Sequence, residues 1–377
     1  MIEHGGKLRE AARHWGIPLT DWLDLSTGIA PFSYPSPPLP PSCWQRLPEA
    51  DDGLEAAARA CYGLPLDKPI LPLPGSQAAI QTLPRLRPPG RVAVLAPTYG
   101  EHPAAWRQAG HEILAFAPPQ LEAMARQVEV VVLVNPNNPT GACFDRQRLL
   151  ALAQDMARRG GWLLVDEAFA DVIPQQNLIA DCGDHLPSLI VLRSLGKFFG
   201  LAGARVGFAC GPSLLLDRLA AALGPWSLSH PSRYIATLAL SDQSWQTGQR
   251  QRLIEASARM DRLLADHGFT RRSHTQLFHY LPTPQAPHLH RALAQQGILT
   301  RCLESPPALR LGLPGDESQW QRLDAALTHI VPSPPPRMKM RKGKLNAPHP
   351  HPRPEAGLPI GSLRSMITLG SGAAFSR

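Results

Sequence analysis

From about residue 70 to residue 210, short apolar runs alternate with segments whose apolar positions recur at helical spacing. Arg91 to Ala96, Val128 to Val134, Trp162 to Val165, Leu189 to Leu192 and Val206 to Cys210 read as buried strands, because each is a short, mainly apolar run. Between two of them, Asp145 to Arg159 sets Leu149, Leu152, Ala153 and Met156 on one helical face. Asp145 is the expected N-cap of that helix, and Gly160-Gly161 its stop. Strand–helix alternation of this kind predicts an α/β domain with a mostly parallel central sheet and helices on both faces. Farther along, a helical stretch from Trp245 to His267 is closed by Gly268 and followed by a shorter α+β pattern to about Ile330. That change of rhythm predicts a smaller α+β domain. The expected division is an arm at 1–30 that belongs partly to the small domain, a large domain at 31–235, a small domain at 236–330 and a tail at 331–377.

Composition changes this picture only through where the charge sits. The 377 residues carry 38 Lys and Arg against 30 Asp and Glu, a net charge of +8 that invites a nucleic-acid or membrane reading. Residues 331–377 hold eight of the basic residues and one acid, Glu355, together with nine prolines, and read as a disordered extension. The body is left with 30 basic and 29 acidic side chains, so neither a nucleic-acid nor a membrane partner is expected. The six cysteines are scattered and none forms a C-x-x-C pair, which argues against a disulfide framework or a metal site. The stretch Met1 to Lys7 contains no apolar run of the secretory kind, and Val130 to Val134 is far too short to span a membrane. The expectation is a soluble cytoplasmic protein.

Four features fall at the ends of the large-domain strands. Gly75-Ser76 opens a helical pattern, where backbone N–H groups suit a phosphate. Asn135 to Gly141, with two Asn–Pro steps, forces a loop at the sheet's carboxyl edge, where α/β ligands bind. Asp166-Glu167 places a carboxylate at the tip of a buried strand, either as a helix cap or against a cationic ligand nitrogen. Ser194-Leu195-Gly196-Lys197 sets a lysine among Phe198, Phe199 and Leu201, where its amine can be a nucleophile, with Arg205 eight residues beyond. Each alone has an ordinary explanation: a cap, a turn, a surface lysine. Together, phosphate donors, an amine, a carboxylate and an amide on one sheet edge match what pyridoxal 5′-phosphate (PLP) requires.

The runs N-P-N-N-P-T-G, D-E-A-F and S-L-G-K-F-F-G-L-A-G-A-R-V-G-F resemble those of the fold-type I PLP enzymes of the class I/II aminotransferase family, over about residues 1–330. The resemblance implies the PLP-dependent transferase-like fold, a PLP cofactor and a homodimer. It implies that Lys197 is the lysine that binds the cofactor, Asp166 the partner of its pyridine nitrogen, Asn138 the donor to its O3′ and Tyr99 the ring stacked on it. Gly75, Ser76, Ser194 and Arg205 match the phosphate cradle, and Arg310 the arginine that grips the substrate carboxylate. Gln77 directly follows the Gly-Ser turn and receives no separate role. His4-Gly5-Gly6, Leu23 to Pro31, Pro225-Trp226-Ser227 and Gly297 to Arg301 are most similar to the branch of the family that serves cobalamin biosynthesis. That branch decarboxylates a small phosphorylated amino acid, L-threonine O-3-phosphate, to (R)-1-amino-2-propanol O-2-phosphate. His4 and Arg301 then become candidate contacts to the substrate phosphate, a mobile terminal residue being the other reading of His4.

Two departures stand out against histidinol-phosphate aminotransferases. Phe169 occupies the place of a tyrosine whose hydroxyl bonds O3′, and Leu47-Pro48 that of a Tyr-Pro whose tyrosine reaches the cofactor phosphate of the other subunit. A phosphate-substrate aminotransferase and a PLP-binding protein without catalysis are the competing expectations. The scaffold reading sits poorly with a chain that keeps Lys197, Asp166 and Arg205 together.

Overall fold

The computed structural model describes residues 4–330, so the tail expected at 331–377 lies outside the described residues. A two-residue strand, β1 (Leu23–Asp24), precedes the main sheet. That sheet comprises β2 (Ile70–Leu73), β3 (Arg91–Leu95), β4 (Glu112–Phe116), β5 (Val130–Val134), β6 (Trp162–Asp166), β7 (Leu189–Ser194) and β8 (Gly207–Cys210). The spatial order is β2-β8-β7-β6-β5-β3-β4. All neighbours are parallel except those of β8, which is antiparallel to both β2 and β7.

The continuous apolar runs follow from burial on both faces. Along β5, Val131 and Leu133 pack with Leu163 and Val165 on one side of the sheet, while Val130 and Val132 pack with Val92 and Leu164 on the other. Because successive side chains point to opposite faces, a strand covered on both sides is apolar along its length except where a buried polar residue finds a partner. The helix between β5 and β6 spans Arg146–Ala157; Leu149, Leu152, Ala153 and Met156 are its buried residues. Asp145 caps it by accepting from the Arg148 N–H at 3.1 Å, a contact worth about 1 kcal/mol.

Two strands run longer than their apolar patterns. β6 takes in Asp166, which pairs with Leu192, and β7 takes in Ser194, which pairs with Gly207. Both polar residues are therefore held by the ladder rather than by loops. Since β2, β3, β5, β6 and β7 all end at one edge and β8 begins there, the segments that follow Leu73, Leu95, Val134, Asp166 and Ser194 converge with Arg205.

The remaining strands are β9 (Ser273–Thr275), β10 (Phe278–Pro282), β11 (Ile298–Leu299), β12 (Arg301–Glu304) and β13 (Pro307–Leu311). Four of them form an antiparallel sheet in the order β12-β13-β10-β9, while β11 pairs in parallel with β1. The helices Gln243–Asp266, Ala286–Gln295 and Glu317–Ile330 belong to this half of the sequence. Gln249 on the long helix donates to the carbonyls of Phe32 (2.7 Å) and Phe198 (2.9 Å), and the Ala30 N–H donates to the Lys197 carbonyl at 2.9 Å. These bonds fix the backbone that carries Lys197.

Candidate active site

At the convergent sheet edge lies a cavity of about 380 Å³ lined by residues that include Ser76, Tyr99, Asn138, Asp166, Ser194, Lys197 and Arg205. One end is a cradle built on glycine. Gly75 has φ +79°, and a Cβ there would lie 2.5 Å from Nη2 of Arg205. Only glycine provides both the left-handed backbone and the room for the guanidinium. Arg205 itself sits at φ +53°, an uncommon conformation for a side-chain-bearing residue that costs about 1 kcal/mol and recurs at ligand sites. A bare backbone turn, two hydroxyls and an arginine make a donor set suited to a phosphate.

At the other end Asp166 is buried. Its Oδ1 accepts from the Ala168 N–H and its Oδ2 meets His102 Nε2, both at 3.0 Å. His102 is fully buried on the helix Glu101–Gln108. Sequence reasoning passed over it; the available signal was a histidine on the first turn after Tyr99, next to a strand-tip carboxylate. Tyr99 is held by its own hydroxyl, which donates to Gln77 Oε1 at 3.1 Å, so Gln77 does have a part. Burial, then the carboxylates of Glu101 and Asp166, push the Tyr99 phenol up to about 12, and it stays a neutral donor.

Lys197 stands between these groups. Burial first, then the positive charges of Arg310 and Arg205, bring its amine down from 10.5 to about 8, against the opposing pull of Asp166. Phe169 is buried edge-on against Phe278 with ring centroids 5.1 Å apart, and the Lys197 Nζ lies 5.7 Å from its ring centre. No hydroxyl comes from that position.

A second cavity of about 230 Å³ adjoins the first and shares His4, Tyr99, Asn138, Phe169 and Lys197 with it; Arg301 and Arg310 line it too. Arg310 is buried, donates through Nη2 to the Ser26 carbonyl (2.7 Å) and through Nη1 to Asn138 Oδ1. With Oδ1 used in this way, Asn138 keeps its Nδ2 as the donor for a ligand oxygen. Arg301 lies directly opposite Arg310 across the β12–β13 pair. Burial, and secondarily Arg301, push the Arg310 guanidinium down to about 10. Two cations facing each other across strands are destabilising in themselves, and an anion between them relieves the repulsion. His4 Nε2 is 2.7 Å from Glu101 Oε1.

The structure thus brings Ser76, Tyr99, Asn138, Asp166, Ser194, Lys197, Arg205, His4, Arg301 and Arg310 onto two adjoining cavities, with Gly75 packed under Arg205. Leu47 is elsewhere. It lines an open groove of about 870 Å³ with Trp44 and Trp226, and all three side chains are more than half exposed. Glu167 turns away from the cavity. Its Oε1 accepts from the Leu178 N–H (2.6 Å) and its Oε2 from Arg193 (3.0 Å), whose other nitrogen meets Asp171 at 2.5 Å. All three side chains are buried, a network with no periodic signature in the sequence. Asp261 on the helix Gln243–Asp266 clusters with His274 and His279 of the smaller sheet, with ligand atoms within 4.8 Å of one another. Both Asp261 oxygens already accept from Arg272, at 2.6 and 2.8 Å, so that charge is answered within the chain.

Residues 44–328 match the sequence model of the aminotransferase class I and II family, and the chain belongs to that family. Within it, the chain is 55% identical over 327 residues to the threonine-phosphate decarboxylase of Pseudomonas aeruginosa, covering 87% of this chain and 97% of that one. It is 40% identical to the threonine-phosphate decarboxylase of a Sinorhizobium species, covering 87% and 98%. The fold is similar to that of the Sinorhizobium meliloti histidinol-phosphate aminotransferase solved in complex with pyridoxal 5′-phosphate, with a TM-score of 0.73, 19% identity and coverage of 88% and 98%. The cofactor of this chain is PLP, and the cradle at Gly75, the buried Asp166 and the amine of Lys197 fit it. Among the described residues, no helix is long and apolar enough to cross a membrane.

Proposed function

We propose that the protein decarboxylates L-threonine O-3-phosphate to (R)-1-amino-2-propanol O-2-phosphate and CO2, as a cytoplasmic, homodimeric enzyme of cobalamin biosynthesis. The observation that carries the choice of reaction is the 55% identity to a threonine-phosphate decarboxylase over nearly that protein's whole length. Bound PLP supplies an electron sink for the pair released when a bond at the substrate Cα breaks.

The chain's own residues do the rest. Arg205, Ser76 and Ser194 hold the cofactor phosphate, and the Gly75 backbone lets the guanidinium approach it. Asp166, backed by His102, keeps a proton on the pyridine nitrogen. Tyr99 covers one face of the ring, and Asn138 donates to O3′. Arg310 grips the substrate carboxylate, while Arg301 and His4 take its phosphate, so the substrate is held at both ends and its orientation about Cα is set. With its pKa near 8, the Lys197 amine is poised to give a proton to Cα once the carboxylate has left. Phe169 contributes an apolar wall and no hydroxyl, consistent with a site that has no need of the aminotransferases' second O3′ donor. The exposed apolar groove at Trp44, Leu47 and Trp226 fits a second copy of the chain.

Purified protein loaded with PLP is expected to release CO2 and aminopropanol phosphate from L-threonine O-3-phosphate with no 2-oxo acid added. Absence of CO2, together with transfer of the amino group of histidinol phosphate to an added 2-oxo acid, would replace this reading with the aminotransferase.

A further inference from the structure

Glu101 is an odd residue for a cavity that takes anions. It opens the helix Glu101–Gln108, is mostly buried and lines the same cavity as Lys197 and Arg205. A carboxylate there repels a phosphorylated ligand unless a cation stands between them. The bonds around it bring a protonatable ring to that place. Oε2 accepts from the amides of Gln77 and Gln81, both at 3.0 Å, on one face of the helix Ser76–Thr82. Oε1 is left for His4 Nε2 at 2.7 Å.

The arm that carries His4 is seated as closely as the carboxylate is held. The Gly6 N–H donates to Ser26 Oγ at 2.7 Å, and a Cβ on Gly5 would lie 2.2 Å from the Ser26 carbonyl oxygen. That carbonyl is the one that accepts from Arg310. One short segment therefore bridges Glu101 on the main sheet's side and the backbone group that holds Arg310.

We propose that Glu101 is a positioning residue that selects phosphorylated ligands through His4. The carboxylate fixes the imidazole by Nε2 and leaves Nδ1 to donate to the ligand phosphate. A ring that satisfies an anion on each nitrogen carries a proton on both. Glu101 then acts with the phosphate through His4, and against it without His4. This inference rests on the proposed function for the identity of the ligand.

The test uses PLP-loaded protein and two ligands that differ only in the phosphate and lack a carboxylate to turn over: (R)-1-amino-2-propanol O-2-phosphate and (R)-1-amino-2-propanol, titrated by calorimetry. Glu101→Gln keeps the shape and the acceptor for the two glutamine amides. It is expected to weaken the phosphorylated ligand about tenfold, the loss of one charge-assisted hydrogen bond, and to change the unphosphorylated one less than about twofold. In a His4→Gln background the sign changes: adding Glu101→Gln leaves phosphate binding the same or tightens it, because only repulsion is removed. Gly5→Ala, which lifts the arm off Ser26 without touching Glu101, is expected to reproduce the selective loss. Equal weakening of both ligands, or further weakening of the phosphorylated ligand in the His4→Gln background, overturns the proposal. CO2 release from L-threonine O-3-phosphate by the same preparations tests the reaction separately: discrimination that follows these rules without CO2 overturns the decarboxylase and leaves Glu101 in its role.

Discussion

The amine of Lys197 offers a prediction whose sign can be tested in two directions. Burial and the charges of Arg310 and Arg205 bring it from 10.5 to about 8, which corresponds to about 3 kcal/mol against the charged form. At neutral pH about one amine in ten is then unprotonated, compared with roughly one in three thousand for an ordinary lysine, a gain of about 300-fold in nucleophile. The assay is covalent uptake of PLP by cofactor-free protein, followed by absorbance from about pH 6 to about pH 11, spanning both values. Wild-type protein should show a midpoint near 8 in the uptake rate. Arg310→Gln removes a cation that lowers the amine, so its midpoint should rise. Asp166→Asn removes the carboxylate that raises it, so its midpoint should fall, whatever happens to the final amount bound. A wild-type midpoint above 10, or displacement of both variants in the same direction, would refute the electrostatic account.

Three further outcomes follow from the packing. Arg193→Leu strands Glu167 and Asp171 without their shared cation, and urea unfolding should register a loss of about 3–5 kcal/mol; a loss below about 1 kcal/mol would mean the carboxylates are relieved some other way. Gly75→Ala combines a left-handed backbone with a Cβ 2.5 Å from Arg205, so PLP affinity, measured by equilibrium titration, should fall at least about tenfold. His102→Phe removes the contact on Asp166 Oδ2; kcat should drop about tenfold or more while PLP remains bound, and unchanged kcat would take His102 out of the account.

Much of this site was readable in the sequence because its parts sit at strand ends. A strand buried on both faces is mostly apolar, so Val130 to Val134 and Trp162 to Val165 announce themselves, and the polar segment that follows each run reaches the ligand edge. Asn138, Asp166 and Lys197 were visible for that reason. What escaped reading is what acts through contact between segments distant in the chain. His102 matters because β6 sits beside the helix after β3, and Glu101 because two glutamines on one helix and an arm near residue 4 meet on its carboxylate. The Arg193 network was hidden similarly, since a charged residue inside an otherwise apolar strand has no periodic signature, and its partners lie 22 and 26 residues away. The ladder also extended β6 and β7 past their apolar patterns, because backbone pairing with Leu192 and Gly207 is indifferent to the polarity of Asp166 and Ser194.

The central claim is that the bond broken at Cα is the one to the carboxylate. Turnover of L-threonine O-3-phosphate in deuterium oxide, read by NMR, tests it most directly. The account predicts aminopropanol phosphate with one deuterium at C1, in the place the carboxylate left, and CO2 in equal amount. Recovery of substrate carrying deuterium at Cα, with its carboxylate intact and no CO2, would contradict it.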